Sequence, residues 1–281
     1  MTNERNNVLC VIPARWGSSR FPGKPLAEMA GHPMIEHVYR RAQAAAGISK
    51  TLVATDDDRI AEAVAAFGGE VRMTRPDHPS GTDRVAEVAG GEDGDGYEVV
   101  VNVQGDEPLI HPEDIAAAVA PLLQDPGLEM STLAVPLGGA EDFLDPNVVK
   151  VVVGEAGNAL YFSRAALPYM RDQLKGAMPP ASALESAWLS LPCRPLKHLG
   201  LYAYRRDWLL RLAGLPPSPL EESERLEQLR ALEEGAWISV VEVAHDSLGV
   251  DVPNDLTRLM SDSALRAALE EEVRKWPSTS S

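Results

Sequence analysis

The sequence predicts an α/β protein with a mainly parallel central sheet, the doubly wound arrangement of Rossmann-like domains. Two observations carry this expectation. Val8-Leu9-Cys10-Val11-Ile12 and Glu98-Val99-Val100-Val101-Asn102-Val103 are apolar runs with almost no polar alternation, as expected of strands buried on both faces of a parallel sheet. Between them, strand-like runs alternate with stretches whose apolar residues recur at helical spacing, and strand–helix–strand alternation builds a parallel sheet.

Composition narrows the classes. A chain of 281 residues, 44% hydrophobic and 24% charged, can bury a large core and reads as an ordinary soluble globular protein. Its net charge of −16 argues against nucleic acid and anionic membranes as partners. It also means that any bound polyanion needs a local cluster of cations. Cys10 sits in a buried-strand run and Cys193 in a Pro-rich loop, so neither a disulfide framework nor a metal cage is expected. The polar first seven residues lack the apolar stretch of a signal peptide. No apolar run approaches the ~20 residues of a membrane span. A cytoplasmic protein is expected, with residues 1–7 and 274–281 as flexible tails around a domain over 8–260.

Taken in order, the first strand ends at Pro13, which has no N–H for the ladder. The loop that follows holds Arg15, Gly17, Ser18, Ser19, Arg20, Gly23 and Lys24. Flexible backbone, hydroxyls and three cations at a strand's carboxyl end suit a polyphosphate; the plainer alternative is a solvated basic loop. A P-loop is excluded, because five residues separate Gly17 from Gly23 and Pro25 follows Lys24. The dinucleotide fingerprint is absent too. Met34 to Ala46 has Ile35, Val38, Tyr39 and Ala42 on one helical face, and Thr51 to Thr55 reads as a strand. Asp56-Asp57-Asp58 offers N-caps for a helix carrying Ile60, Ala63, Val64 and Phe67. After a short strand at Glu70–Met73, the loop from Thr74 to Arg84 is dense in donors. It reads either as a turn capped by Ser80 or Thr82 or as part of a binding site.

The second buried strand runs into Gln104-Gly105-Asp106-Glu107-Pro108. Gly-Asp commonly marks a plain turn, but an acidic residue at the tip of a central strand is also where α/β enzymes place metal ligands. Pro112 opens a helix to Leu123. Strands are expected at Met130–Leu137, Val148–Val153, His198–Tyr204 and Ile238–Val243, the third half-buried with His198, Gly200, Tyr202 and Tyr204 on its polar face. Ser218-Pro219-Leu220-Glu221 is a capping box. It starts a helix with Leu226, Leu229 and Leu232 inward and Glu224, Glu227 and Gln228 outward, a face that is solvated or ligand-binding. Pro253 begins a closing helix.

Pro13-Ala14-Arg15, Ser19-Arg20, Pro22-Gly23-Lys24-Pro25-Leu26, Asn102 to Pro108, His198 to Tyr202, Leu226-Glu227-Gln228-Leu229-Arg230 and Gly249-Val250-Asp251 occur in one order. Together they resemble the motifs of the sugar-acid cytidylyltransferases, above all the branch that takes the eight-carbon keto acid 3-deoxy-manno-octulosonate (Kdo). The likeness covers roughly residues 8 to 260, and several ordered motifs are far more specific than one. It implies a Rossmann-like nucleotidyltransferase fold with an inserted lid and dimerisation subdomain over 158–215, a homodimer, and a reaction of CTP with Kdo that gives CMP-Kdo and pyrophosphate for lipopolysaccharide synthesis. It further implies catalytic roles for Arg15, Lys24, Asp106 and Asp251, with Asp106 and Asp251 as Mg2+ ligands. Nucleotide contacts would come from Pro13, Ala14, Arg15, Arg20, Lys24, Thr55, Arg75, Ser80, Gly81, Thr82 and Gln104. Sugar contacts would come from Gln104, Arg164, His198, Tyr202, Glu224 and Glu227. Alternative readings are a cytidylyltransferase for sialic acid, a nucleotidyltransferase for a neutral sugar phosphate, and a catalytically silent nucleotide-binding module.

Overall fold

In the computed structural model the opening apolar run becomes β1 (Val8–Ala14), with Val8 to Ile12 fully buried. Residues 7–18, 20–171, 181–182, 184, 193–246 and 248–276 are described. A short hairpin, β2 (Glu28–Met29) and β3 (His32–Pro33), leads into α1 (Met34–Ala44), β4 (Lys50–Thr55), α2 (Asp58–Ala66), β5 (Val71–Met73), α3 (Gly81–Gly90) and β6 (Val99–Asn102). β1 lies between β4 and β6, and β5 flanks β4, with every pairing parallel. That explains the missing alternation in β1 and β6: helices cover both faces, so each side chain points into a core. Asp57 is the N-cap of α2, its carboxylate accepting from Arg59 N–H, and Ser80 is the N-cap of α3, accepting from Asp83 N–H. These caps satisfy N–H groups that a helix start leaves open.

Two compact units emerge, Met1–Ala116 with Ser247–Ser281, and Ala117–Asp246. In the first, the chain end supplies two helices, Pro253–Ser261 and Ser263–Val273, where the sequence predicts one. Asp262 breaks the run and caps the second through Ala264 N–H and Leu265 N–H. Leu259 and Leu269 pack with Met29, Met34 and Val250 in one buried cluster.

The second unit contains β7 (Met130–Pro136), β8 (Lys150–Val153), β9 (Ala159–Ser163), β10 (Leu196–Arg205) and β11 (Ile238–Glu242). β7 pairs parallel with β11 and antiparallel with β10, which also pairs antiparallel with β8; β9 completes a hairpin with β8. Parallel pairing in this unit thus joins β7 to β11 while β10 and that hairpin pair antiparallel, whereas the pairings among β5, β4, β1 and β6 in the first unit are all parallel. β10 is not half-exposed as its alternation suggests: His198 and Tyr204 are buried. A bulge at Gly200-Leu201 shifts its register by two residues, an even slip that keeps His198, Tyr202 and Tyr204 on one face. Of the range 158–215, residues 172–180, 183 and 185–192 lie outside those described, as do 1–6 and 277–281 of the expected tails.

The helix expected after the capping box is two helices, Pro219–Glu224 and Gln228–Glu233. Ser218 Oγ and the Glu221 carboxylate form the box. Arg225 then takes the left-handed region at φ 56° and ends the first helix. Neither Gly nor Asn marks this stop, so sequence pattern alone did not locate it. Glu224 and Glu227 are thus not neighbours on one helix face. Among the described residues, no helix is long and apolar enough to cross a membrane.

Candidate active site

At the carboxyl ends of β1 and β6 the first unit forms a cleft. It is lined by Pro13, Ala14, Arg15, Ser18, Arg20, Lys24, Pro25, His78, Ser80, Gly81, Arg84, Gln104, Gly105, Asp106 and Asp251. This is where a parallel sheet leaves strand tips and helix N-termini open to a ligand. Gly23, at φ 72°, precedes a single 3-10 turn, Lys24–Leu26, that turns Lys24 inward. Only glycine adopts that backbone without strain.

The centre of the cleft is an ion cluster. Lys24 Nζ donates to Asp106 Oδ2 at 2.6 Å and lies 3.5 Å from Asp251 Oδ1, while Arg20 Nη1 is 3.3 Å from Asp251 Oδ2. The Lys24 side chain is only 12% exposed, so its charge is less screened than that of a surface pair. Two loops bring the carboxylates together. Gly105 passes so close to β1 that a Cβ there would stand 2.9 Å from the Pro13 carbonyl oxygen. Val250, fully buried, donates its N–H to the Asp106 carbonyl at 2.9 Å. The Asp255 carboxylate accepts from Asp251 N–H and Val252 N–H at 2.9 and 3.0 Å, which holds its pKa below the ordinary value.

Around this centre Gln104 Nε2 donates to Asn102 Oδ1 at 2.9 Å, and the Arg15 side chain is exposed at the rim. Five lining residues are absent from the expected contacts: Ser18, Pro25 and Gly105, which belong to the quoted loops and motifs, and His78 and Arg84. Arg84 is 4% exposed, paired with Asp56 at 3.1 Å and hydrogen-bonded to Thr74 Oγ1. His78 contacts the Glu87 carboxylate. Both belong to the donor-dense loop that the sequence singled out, but their partners lie 9 to 28 positions away, beyond any local pattern. Three expected nucleotide contacts are not in the lining. Thr55 is fully buried with its hydroxyl accepting from Asp57 N–H, Arg75 is directed to Glu87 and Asp77, and Thr82 lies in the first turn of α3.

In the second unit, Arg164 and Glu224 form one assembly. The Glu224 carboxylate accepts from Ser163 Oγ at 2.5 Å and from Arg164 N–H at 2.9 Å. The Arg164 guanidinium donates to the carbonyls of Glu224, Pro146 and Arg225 at 2.8, 3.1 and 3.5 Å. Those bonds use three of its five N–H groups, leaving one on each terminal nitrogen. Lys150, fully buried beside them, donates to the Asp145 and Val148 carbonyls, and burial lowers its pKa.

His198 is hydrogen-bonded to Thr132. Thr132 Oγ1 is 2.8 Å from the Leu201 carbonyl and 2.9 Å from His198 Nε2. The Leu199 carbonyl is also within reach at 3.2 Å; a hydroxyl that gives its one proton to either carbonyl accepts from His198 Nε2–H and leaves Nδ1 as an acceptor. Burial pushes the His198 pKa down to about 3, so the ring stays neutral. Phe162 and Tyr202 lie 4.9 and 5.4 Å from it, centroid to centroid. Glu227 stands at the start of the helix Gln228–Glu233.

A family model described as cytidylyltransferase matches residues 9–242. The 3-deoxy-manno-octulosonate cytidylyltransferase of Geobacter sulfurreducens is 53% identical over 254 residues, covering 90% of this chain and 98% of that protein. Its namesake in Syntrophotalea carbinolica is 54% identical, with 90% and 97% covered. Among solved structures, a CMP:2-keto-3-deoxy-manno-octonic acid synthetase complexed with CTP superposes with a TM-score of 0.80 at 43% identity, over 94% of this chain and 99% of that one. A 4-diphosphocytidyl-2C-methyl-D-erythritol synthase from Anaerococcus prevotii, 12% identical with a TM-score of 0.55, shares the fold alone. By the family match and by identity across nine-tenths of its length, the chain belongs to the cytidylyltransferase family.

Proposed function

We propose that this protein transfers CMP from CTP to the anomeric hydroxyl of Kdo, releasing pyrophosphate. The observation that carries the reading is the cleft at the β1 and β6 tips, lined by Arg15, where Arg20 and Lys24 meet Asp106 and Asp251, within a chain so similar to Kdo cytidylyltransferases. A protein of net charge −16 draws a triphosphate only where cations are concentrated, and this cleft concentrates them. The paired carboxylates argue against a silent binding module, because a pure phosphate binder gains nothing from negative charge beside its ligand.

In the reaction the sugar's anomeric oxygen attacks the α-phosphorus. The bond from that phosphorus to the bridging oxygen breaks, pyrophosphate leaves with the electron pair, and the hydroxyl proton passes to solvent. Lys24, Arg20 and Arg15 bind the phosphates and stabilise charge building on the departing group. The donor set at the cleft centre also fits Mg2+. Asp106 and Asp251 are hard oxygen donors from two loops converging on one ammonium, and Mg2+ is bound by one or two carboxylates together with substrate phosphates. Among the described residues, no cluster of three or more His, Cys, Asp or Glu offers an all-protein cage, which agrees with that mode. When bound, the ion would neutralise phosphate oxygens and lower the pKa of the attacking hydroxyl.

For the sugar acid, the two N–H groups left on Arg164 suit a carboxylate bidentately. Neutral His198 offers Nδ1 to a hydroxyl, and Glu224, already fixed by Ser163 and Arg164, keeps lone pairs for others. Tyr202 and Glu227 complete this set. A cytoplasmic homodimer is part of the same reading, with 158–215 as lid and platform; Leu160 and Tyr169, both more than half exposed, supply apolar surface there for a second copy.

The test is pyrophosphate release from CTP and Kdo with and without magnesium, in the wild type and in Asp106→Asn and Asp251→Asn. Each substitution should abolish turnover, and the double variant should be no worse than either single one, since both serve one function. Turnover that persists in excess EDTA would discard the metal role.

A further inference from the structure

We infer that Trp16 is a positioning residue for Lys24, clamped in place by Arg59 and Asp57; the inference rests on reading the cleft as the CTP site. Three observations in the first unit carry it. The Trp16 ring lies directly against Gly23, where a Cβ would stand 2.8 Å from Cη2, 3.0 Å from Cζ2 and 3.1 Å from Cζ3. The Gly23 N–H also donates to the Trp16 carbonyl at 3.0 Å. Gly23 is the left-handed residue whose conformation starts the Lys24–Leu26 turn, so the ring fixes the residue immediately before Lys24.

The ring is itself held. The Arg59 guanidinium carbon lies 3.4 Å from the Trp16 ring centroid, a close cation–π stack. Arg59 Nε and Nη2 donate to Asp57 Oδ1 and Oδ2 at 2.9 and 2.6 Å, a two-pronged pair that gives the guanidinium one orientation. Asp57 is anchored in turn, as the N-cap of α2. Contacts therefore run from the start of α2 through Asp57, Arg59, Trp16 and Gly23 to Lys24, whose ammonium meets both site carboxylates.

A plain surface ion pair is the competing account of Asp57 and Arg59. Such pairs add little to stability, and the Arg59 side chain is 55% exposed. Stability alone therefore does not explain a guanidinium held by a fork on one side and laid on an indole on the other. The arrangement is better suited to fixing a loop that contains glycine, which would otherwise sample many conformations. Ordering that loop before CTP arrives reduces the entropy lost on binding, so the effect should fall on nucleotide affinity.

The experiment combines calorimetric CTP binding, steady-state kinetics and thermal unfolding for Trp16→Ala, Trp16→Phe and Arg59→Ala. Trp16→Ala should weaken CTP binding about tenfold and raise KM for CTP alike, while KM for the sugar acid stays within about twofold. Trp16→Phe, which keeps a ring over Gly23, should recover most of the affinity, and Arg59→Ala should lose about threefold. In a Lys24→Ala background Trp16→Ala should add less than about twofold, because its effect passes through Lys24. CTP affinity unchanged in Trp16→Ala, or lost by the same factor with and without Lys24, would overturn the inference. Should Trp16→Ala fail to fold, unchanged CTP affinity in Arg59→Ala, a surface substitution, would overturn it equally. A wild-type chain that binds no CTP would remove the reading of the cleft and the inference together, whereas CTP binding with insensitive variants would remove the inference alone.

Discussion

Gly105→Ala isolates how closely the two strand tips must approach. Gly105 is not among the residues with positive φ, so alanine meets no conformational penalty and the cost is one of space. Its Cβ would stand 2.9 Å from the Pro13 carbonyl oxygen, with Ile35 Cδ1 and Ile12 Cγ2 at 3.4 and 3.6 Å. The oxygen belongs to the backbone of β1 and cannot rotate away as a side chain would. One of the strand tips must therefore retreat by about half an ångström, and overpacking of this kind costs about 1–3 kcal/mol. Asp106 is the next residue, so its carboxylate moves with the retreat. A misplacement of about 1 Å costs about a hundredfold in rate, so half of that should cost roughly tenfold in kcat. Urea unfolding and pyrophosphate release measure the two effects. Gly17→Ala, whose Cβ would meet nothing within 4 Å, should leave the unfolding midpoint in place. A Gly105→Ala protein with wild-type midpoint and wild-type kcat would refute the argument that this contact sets the carboxylate.

Two further outcomes follow from the geometry. Burial holds His198 at about 3 and His37 at about 4, against an ordinary 6.5. Both rings are neutral in the fold and gain protons on unfolding, so stability is fully present above pH 6.5 and falls as acid is added down to those values. The slope should be about 1.4 kcal/mol per pH unit for each ring, and urea titrations of His198→Gln should show it reduced by one proton; an unchanged slope would contradict the assignment. Arg164→Lys should raise KM for the sugar acid at least about tenfold and leave KM for CTP alone, because an ammonium cannot reproduce the bidentate fork; equal effects on both substrates would argue against a carboxylate contact.

How much was legible in the sequence depends on the range of the interaction. β1 and β6 were readable because burial on both faces leaves an unbroken apolar run, and the caps at Asp57, Ser80 and Ser218 because capping is local chemistry. The carboxylates Asp106 and Asp251 could be named from motifs, yet their meeting at Lys24 depends on Val250 bonding to the Asp106 carbonyl across 144 positions. The burial of Arg84 escaped for the same reason: it depends on Asp56 and Thr74, not on its neighbours. The break at Arg225 escaped because a non-glycine residue holds the left-handed conformation there, and with it went the expectation that Glu224 and Glu227 share a helix face. Lys150 sits in a β-rich run that predicts a strand but not an ammonium buried on backbone carbonyls.

This cytidylyltransferase activates Kdo, and competition between sugar acids is the sharpest check on that activity. Pyrophosphate release from CTP and magnesium should be measured with Kdo, close eight-carbon analogues, N-acetylneuraminate and neutral sugar phosphates. Each buried hydroxyl or site group left without its hydrogen-bond partner costs about 1–3 kcal/mol. Kdo should therefore exceed N-acetylneuraminate in kcat/KM by at least about a hundredfold, equivalent to roughly 2.7 kcal/mol. A clear preference for N-acetylneuraminate or for a neutral sugar phosphate would contradict Kdo as the substrate.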